Sequence, residues 1–501
     1  MAIPKVYGIE TEYGIAAVGD RDFNPVLASS LLISGYAGSL RRIRWDYEQE
    51  SPLRDARSTT PVPVRDVAID DVGLANVMLT NGARYYVDHA HPEYSTPECT
   101  SPRELVVHDR AGERILERSL LAYEATLGPG ARVSIYKNNS DGKGNSYGTH
   151  ENYLVDRTLP FGDLVRDVTP FLVTRQIFTG AGKVGSEADV DPALRPRFQL
   201  SQRADFFEAE VGLETTLKRP IVNTRDEPHA DPERYRRLHV IIGDANLCGV
   251  ANLLKIGTAA LVLRMIEDAF LPDLSLEDPV AALRTISADP TCTARVRTAD
   301  GRSRSAIELQ WEYLERATKY VEQEGAAEGE REVLERWEHV LGALEEDPMS
   351  LARELDWVAK YRLLEGYRQR DHLDWLDPKL RLIDLQYHDV RRDRGLHHRL
   401  TASGAIELLV DDAAVERAIL EAPEGTRAWF RGGCIRRYES AIVAASWDSL
   451  IVDTGATALQ RIPMREPLRG TREHVESLFD EAADAAGLVA RLGAGGVAGG
   501  R

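Results

Sequence analysis

The sequence predicts an α+β protein with a large first domain and a small second one, and three observations lead to that prediction. Short segments alternate polar and apolar residues, as strands with one buried face do, in residues 6–15, 81–98 and 147–154. Longer segments carry apolar residues at helical spacing, as in residues 104–126. At 501 residues the chain is longer than one hydrophobic core usually supports, which favours a second domain.

The first predicted strand, in residues 6–15, carries two acids. Glu10 and Glu12 are two positions apart, so both carboxylates share one face and the other face can enter a core. A short helical pattern follows in residues 25–32. Residues 39–80 then mix charges with little periodicity, and a loop of that length inside a domain is usually functional or disordered.

The strand in residues 81–98 begins at an Asn-Gly turn signal. Three polar side chains at alternating positions share one of its faces: Arg84, Tyr86 and Asp88. A solvated edge strand gives the same pattern. However, His91, Glu93 and Glu98 add a nitrogen ligand and hard oxygen ligands near the same strand end, as magnesium or zinc requires.

A third polar strand is predicted in residues 147–154, where His150 and Asn152 share a face. It follows the helix of residues 104–126, which we expect to cover the sheet, and a strand in residues 132–137. Three strands thus each offer an acid or an imidazole. Such a set suits Mg²⁺ that bridges nucleotide phosphates.

The middle of the chain offers cations rather than a phosphate loop. Residues 180–185 are rich in glycine, but they lack the P-loop spacing and its Lys-Ser/Thr pair, so we interpret them as a connecting loop. Arg203 and Arg225 lie in polar, strand-like surroundings and suit bidentate binding of carboxylate or phosphate. For Arg236 and Arg237 we favour surface salt bridges.

The last third of the chain predicts a helical layer and then the second domain. Residues 305–370 are helical and heavily charged, and residues 446–452 form a strand of a compact α+β segment. Without further information Trp447 would be assigned to the core. We divide the chain into residues 1–425 with the irregular stretch 39–80, a small domain in residues 426–485, and a flexible tail in residues 486–501.

Composition narrows the class of partner and the compartment. The net charge of −18 argues against general binding to nucleic acid or to an anionic membrane. Four widely separated cysteines without a CxxC pair fit reduced structural thiols. The start of the chain has no apolar segment of signal-peptide length, and charges interrupt the apolar run in residues 250–271. We therefore expect a cytoplasmic protein without a membrane span.

Five motifs, in the same order and spread over nearly the whole chain, resemble the Pup ligase and Pup deamidase/depupylase family. They are Gly8-Ile9-Glu10-Thr11-Glu12-Tyr13-Gly14, residues 81–98, Lys137-Asn138-Asn139-Ser140-Asp141, residues 145–153, and residues 223–231. The resemblance implies a glutamine-synthetase-like fold in residues 1–425: a curved antiparallel sheet that cradles ATP and Mg²⁺ and is covered by helices.

The resemblance also implies an activity. The substrate would be Pup, a small disordered protein modifier, and the enzyme would hydrolyse either its C-terminal glutamine amide or the isopeptide bond that joins it to a lysine. The stretch 39–80 is similar to an insertion that marks the deamidase/depupylase branch. In that branch ATP would be bound but not consumed. Pupylated proteins would be partners, with a functional link to a proteasomal ATPase.

Two alternatives stay open. One is the ligase, which makes a γ-glutamyl phosphate of Pup and passes it to a lysine. Two residues separate Asp88 and His91 where the ligase branch has one more, which weakens the transfer of roles from the ligase only. The other alternative is a silent Pup-binding adaptor, which the intact Asp88, Glu10 and Glu93 disfavour.

Residue roles follow from the resemblance at matching positions. Asp88 would be the catalytic carboxylate, as nucleophile or as general base. The metal ligands would be Glu10, Tyr86, Glu93 and His150. The nucleotide contacts would be Arg84, Thr96, Asn152 and Trp447. The substrate-binding cations would be Arg203 and Arg225, which match an arginine pair of the family. The charge of an acidic modifier also makes His239 and Arg236 candidates for its groove.

Overall fold

The structure is a computed structural model, and it describes residues 1–17, 23–48, 50–51, 53–57, 74–128, 132–187, 196–216 and 218–496. The strands are β1 (Tyr7–Glu12), β2 (Gly14–Ala17), β3 (Arg44–Trp45), β4 (Asn76–Met78), β5 (Arg84–Asp88), β6 (His91–Ser95), β7 (Val133–Tyr136), β8 (Thr149–Asp156), β9 (Lys183–Val184), β10 (Phe198–Gln199), β11 (Phe207–Gly212), β12 (Arg219–Asn223), β13 (Tyr235–Val240), β14 (Arg295–Arg297), β15 (Ser303–Ser305), β16 (Ile442–Ala445), β17 (Ser449–Val452) and β18 (Gln460–Pro463). The helices are α1 (Pro25–Ala37), α2 (Pro102–Glu124), α3 (Phe161–Thr174), α4 (Gln176–Thr179), α5 (Gly249–Glu267), α6 (Pro279–Ser287), α7 (Ala306–Glu324), α8 (Glu330–Glu346), α9 (Asp356–Asp371), α10 (Pro378–Tyr387), α11 (Leu396–Ala402), α12 (Asp412–Ala418), α13 (Ala428–Tyr438), α14 (Arg472–Glu481) and α15 (Ala485–Gly496).

Six strands form the main sheet in the order β13-β8-β1-β6-β5-β4, and every adjacent pair is antiparallel. Glu10 of β1 lies opposite Ser95 on one side and His150 on the other. Because side chains alternate along each strand, the polar residues project from one face, while Ile9 and Tyr85 are buried beneath the other. The predicted α+β class, with an antiparallel sheet, is confirmed.

Helices cover the apolar face of this sheet. α2 begins after Ser101, whose side chain accepts the backbone N–H of Glu104, and Pro102 occupies its first turn. Leu105 and Ile115 on α2 belong to the main hydrophobic core. α5 packs against α2 and β8. The helical layer therefore covers one face of the sheet, and the polar residues lie on the opposite face.

The long apolar helix α5 lies in the interior of the protein. In the part of the chain that the structure describes, α5 alone is long and apolar enough to cross a membrane, yet 89% of its apolar window is buried inside the protein. The helix therefore fills the core, as the interrupted apolar run predicted.

The small C-terminal unit has its own sheet, β18-β17-β16-β3, and its own core. Its edge strand β3 comes from residues 44–45 and pairs in parallel with β16. Trp45 lies in the smaller core together with Phe430 and Phe479. The unit predicted as residues 426–485 is therefore completed by the segment before β4.

Two further predictions need correction. β16 ends at Ala445 and β17 begins at Ser449, so the predicted strand of residues 446–452 starts with a turn that carries Trp447. The predicted tail begins with a helix, α15. Its apolar residue Leu488 is 2% exposed, because it packs into the smaller hydrophobic core. Residues 497–501 lie outside the described residues.

The irregular stretch of residues 39–80 is only partly covered by the structure. Residues 38–42 form a 3₁₀ helix, and β3 and β4 follow. The predicted loop in residues 58–73 lies outside the described residues and stays a prediction.

Candidate active site

The polar face of the main sheet borders a cavity of about 890 Å³ around Asp88. Six strands contribute to its walls: β5 supplies four residues, and β4, β6, β1, β8 and β13 supply one each. The lining side chains include Arg84, Tyr86, Asp88, Glu93, Glu10, His150, His239 and Arg225. Three strands far apart in sequence therefore deliver their predicted acids and imidazole to one place.

Two groups of metal-type ligands lie on this face. In the first, ligand atoms of Glu10, His150 and His239 lie within 4.8 Å of one another. A Glu10 Oε2 atom is 3.6 Å from His150 Nδ1 and 3.9 Å from His239 Nε2. His239 is 2% exposed, and neither of its ring nitrogens has a hydrogen-bond partner among the described residues. A buried imidazole left in that state fits a bound cation.

The second group consists of carboxylates alone. Oxygen atoms of Glu12, Asp88 and Glu93 lie within 4.8 Å of one another. Burial, and then the charges of Asp88, Glu12 and Glu10, raise the pKa of Glu93 well above its usual value. A divalent cation would remove that repulsion, because hard carboxylate oxygens are the ligands Mg²⁺ prefers. The residues present therefore fit magnesium.

Asp88 and Glu10 are held in the charged form. Burial by itself would raise the pKa of Asp88, but the hydrogen bond and charge of His89, with His150 and Arg84, outweigh it and lower the pKa. For Glu10, burial is outweighed by the hydrogen bond from His150 and the charges of His239 and Arg237. Both carboxylates are therefore ionised at neutral pH.

Tyr86 lies beside Glu93, and its role as a metal ligand stays a prediction. Its hydroxyl donates to Glu93 Oε1 at 2.5 Å, and burial raises the pKa of the phenol well above its usual value. A neutral phenol that donates to a carboxylate orients that carboxylate. Glu12, which the sequence placed on the same face as Glu10 but did not assign as a ligand, is a member of the carboxylate group.

A second cavity, of about 580 Å³, adjoins the first. It contains three of the predicted nucleotide contacts: Thr96, Asn152 and Trp447. Glu10 lines both cavities. Gly8 also lines this cavity, and a Cβ atom at that position would lie only 3.2 Å from Thr96 Oγ1. The fourth predicted contact, Arg84, lines the Asp88 cavity instead.

The predicted cations divide into two kinds. Arg225 and His239 line the Asp88 cavity, as a substrate contact requires. Arg203 does not: it is 1% exposed, donates to the Ile241 carbonyl and donates to Ser146 Oγ at 3.2 Å. Burial lowers its pKa to about 10. Its interior position makes it a support for the surrounding backbone.

The prediction of surface salt bridges for Arg236 and Arg237 is wrong, since both are buried. Arg237 donates to Asn152 Oδ1 at 2.8 Å, lies 3.7 Å from Glu10 Oε1 and lines the second cavity. The period of two along β13 places Arg237 on the same face as His239, which the sequence had already singled out, and that signal could have located Arg237.

Glu98 lines the second cavity, whereas His91 lines neither of the two. Glu98 accepts hydrogen bonds from Arg427 and Arg431 of the C-terminal unit, so it joins the two units rather than serving as a ligand. His91 Nδ1 lies 3.5 Å from Glu12 Oε2, and its ring packs on Tyr147 with centroids 4.4 Å apart.

Comparison with known proteins places this chain in a family. The profile of the Pup-ligase protein family matches residues 5–451. The chain is 56% identical to the "Depupylase" of Acidothermus cellulolyticus, covering 98% of this chain and 99% of the relative. It is 52% identical to the "Pup deamidase/depupylase" of Mycolicibacterium smegmatis, covering 97% and 99%.

Two solved structures share the fold. The Pup ligase PafA in complex with Pup superposes with a TM-score of 0.80 and 33% identity, covering 95% of this chain and 91% of PafA. The ADP complex of PafA gives a TM-score of 0.73 and 37% identity, covering 81% and 89%. Sequence, fold and the polar sheet face together show that this chain belongs to the Pup-ligase protein family.

Proposed function

We propose that this chain is an ATP- and Mg²⁺-dependent amidohydrolase that deamidates the C-terminal glutamine of Pup and cleaves the isopeptide bond between Pup and lysine. One observation carries the proposal: an ionised Asp88 borders a cavity that lies beside two ligand groups for a cation and adjoins a second cavity. The names of the relatives at 52–56% identity over nearly full length support the choice of reaction.

Both reactions break the same kind of bond. The scissile C–N bond belongs to a γ-carboxamide in each case, and water adds to the carbon while the nitrogen leaves as ammonia or as the lysine amine. One site can therefore serve both. Asp88 is suited to this step because its lowered pKa keeps the carboxylate ionised.

Asp88 can act in two ways. As nucleophile, its oxygen bonds to the amide carbon, the amine leaves with a proton, and water opens the resulting anhydride. As general base, it takes a proton from the water, or from a bound phosphate, that attacks the amide carbon. Arg84 and Arg225 border the same cavity and can hold a carboxylate or phosphate oxygen.

The cofactors would occupy the two cavities. Glu10, Glu12, Glu93, His150 and His239 would hold Mg²⁺, which when bound supplies positive charge to phosphate and carboxyl oxygens. Thr96, Asn152 and Trp447 would contact the nucleotide, and an aromatic face suits a base. The structure of PafA with ADP supports nucleotide binding here, and that of PafA with Pup supports Pup as the partner.

Other parts of the proposal rest on charge and family resemblance. They are a cytoplasmic location, a functional link to a proteasomal ATPase, and the lack of nucleic-acid and membrane partners. The net charge of −18 supports the exclusion of nucleic acid.

The Pup ligase is the second candidate, because both solved neighbours are ligases. Its chemistry differs in a measurable way, since forming a γ-glutamyl phosphate consumes one ATP and releases one ADP for each bond formed. The identities of 33–37% to PafA against 52–56% to the named depupylases favour the hydrolase.

The test incubates the purified protein with glutamine-ending Pup, Mg²⁺ and ATP and measures ammonia and ADP together. We expect ammonia in large excess over ADP, and a loss of about 1,000-fold or more in an Asp88→Asn variant. Asp273→Asn, an exposed aspartate that lines neither cavity, is the control and should keep full activity. ADP that appears only with glutamate-ending Pup and a lysine acceptor would assign the ligase instead.

A further inference from the structure

The backbone of Trp45 is part of the C-terminal unit, and its indole ring contacts Arg84, which lines the Asp88 cavity. Its strand β3 lies parallel to β16, with Trp45 opposite Ala445. The next residue, Asp46, is fixed by a hydrogen bond from Ser449 Oγ at 2.7 Å. Trp45 is 7% exposed and lies in the smaller hydrophobic core. The indole ring is therefore held in place by a rigid sheet.

The ring of Trp45 covers one face of the Arg84 guanidinium. Arg84 Cζ lies 3.7 Å from the centroid of Trp45 and 3.8 Å from that of Tyr86, so the guanidinium lies close to both aromatic rings. Arg84 Nε donates to Asn76 Oδ1 at 3.0 Å, which fixes its plane further. Contacts of this kind attract a cation to the ring faces and leave its in-plane N–H groups for the cavity.

The same indole ring contacts Trp447, a residue that lines the second cavity. Trp45 and Trp447 meet edge to face, with centroids 5.9 Å apart and an angle of 77°. Trp447 lines the second cavity, whereas Arg84 lines the Asp88 cavity. The indole N–H of Trp45 donates to Glu50 Oε1 at 2.6 Å, which sets the ring's tilt. A shift of Trp447 on nucleotide binding would therefore be transmitted through Trp45 to Arg84.

We propose that Trp45 is a positioning residue that couples the nucleotide cavity to Arg84 beside the catalytic carboxylate. The proposal rests on the proposed function. It supplies a physical reason for a hydrolysis to depend on a nucleotide that it does not consume: the occupied cavity, through Trp447 and Trp45, fixes the guanidinium that faces the reacting amide.

The kinetic test compares Trp45→Leu with Trp45→Phe. Leucine removes the aromatic face that holds Arg84. We expect kcat for Pup deamidation to fall about 10- to 100-fold, because a small displacement of a group beside the reacting atoms slows the reaction by that much. Phenylalanine keeps the face but loses the bond to Glu50, and kcat should stay within about threefold of wild type. The dissociation constant for ADP should change less than about threefold in both variants, because Trp447 remains.

Trp429 provides a matched control. It is 8% exposed, lies in the same core, donates its indole N–H to Glu476 Oε2 at 3.1 Å and carries Arg472 over its ring, but it lines neither cavity. Trp429→Leu should therefore keep kcat. A loss in Trp429→Leu equal to that in Trp45→Leu would reduce the effect to core stability and overturn the proposal.

A double variant tests whether Trp45 acts through Arg84. If it does, Trp45→Leu combined with Arg84→Ala is no slower than Arg84→Ala alone, because the group being positioned is already absent. Rate losses that multiply in the double variant would overturn the proposal, and so would a wild-type kcat in Trp45→Leu.

A readout without turnover separates this proposal from the proposed function. ADP should slow amide hydrogen exchange in residues 84–88 of the wild type and of Trp429→Leu, but not of Trp45→Leu. ADP that protects these residues equally in all three proteins, or in none, would overturn the coupling. A wild type that releases no ammonia would overturn the hydrolase assignment alone.

Discussion

Glu98 should stabilise the contact between the two units, and Glu98→Gln tests this. The carboxylate accepts from Arg427 Nε at 2.7 Å and from Arg431 Nη2 at 2.5 Å, and both arginines are almost fully buried. Burial by itself would raise the pKa of Glu98, but the charges of Arg431 and Arg427 outweigh it and hold the pKa at about 2, against an ordinary value of 4.5.

The magnitude follows from linkage between protonation and folding. A pKa lowered from 4.5 to about 2 corresponds to about 3 kcal/mol of the free energy of unfolding at neutral pH. Because the pKa of Glu98 is lowered in the folded state, this stabilisation is complete above pH 4.5 and is lost as the pH falls toward 2. About 2 kcal/mol of it should be gone at pH 3.

Urea unfolding of wild type and Glu98→Gln, without nucleotide, measures the difference. We expect the variant to be less stable by about 3 kcal/mol at pH 7, since glutamine leaves two buried cations without a counter-charge, and the difference to shrink at pH 3. Glu424→Gln is the matched control, because Glu424 pairs with Arg472 on the surface of the same unit and should change stability by less than about 1 kcal/mol. A difference for Glu98→Gln that is below about 0.5 kcal/mol at pH 7, or that does not depend on pH, would refute the reasoning.

Three further predictions concern the cation, the nucleotide and the packing of the sheet. Glu10→Gln should raise the Mg²⁺ concentration for half-maximal ammonia release by about tenfold or more, because a ligand shared by both cavities loses its charge; an unchanged Mg²⁺ titration would contradict this. Trp447→Leu should raise the dissociation constant for ADP about tenfold in a calorimetric titration, and an unchanged constant would place the base elsewhere. Gly112→Ala should lower the free energy of unfolding by about 1–3 kcal/mol, because its Cβ would lie 2.4 Å from the Tyr94 ring. Gly342→Ala, in a helix with open space around it, should instead be neutral or stabilising by up to about 1 kcal/mol, and equal losses in both would show that packing at Tyr94 is not the cause.

The polar face of the sheet could be read from the sequence because strand periodicity is local. Glu10, Asp88 and His150 each occupy an alternating pattern, so their common orientation within each strand follows from the chain alone. That they meet in one cavity depends on the strand order β8-β1-β6-β5, which brings residues far apart in sequence side by side.

Burial was the main quantity that sequence patterns could not supply. Arg203 and Arg237 are of a residue type that is usually exposed, yet one donates to a buried backbone carbonyl and the other lines the second cavity. Buried guanidinium groups are stable only with specific partners, and those partners come from distant strands.

The sequence by itself determined the α+β class, the three polar strands and the family, because these depend on local periodicity and on contiguous motifs. Only the tertiary structure decided that β3 completes the C-terminal sheet, that Glu98 binds two arginines of the C-terminal unit, and that Trp45 lies between Arg84 and Trp447. The physical reason is that such contacts join segments tens to hundreds of residues apart, and their energies depend on distance and burial, which no local pattern encodes.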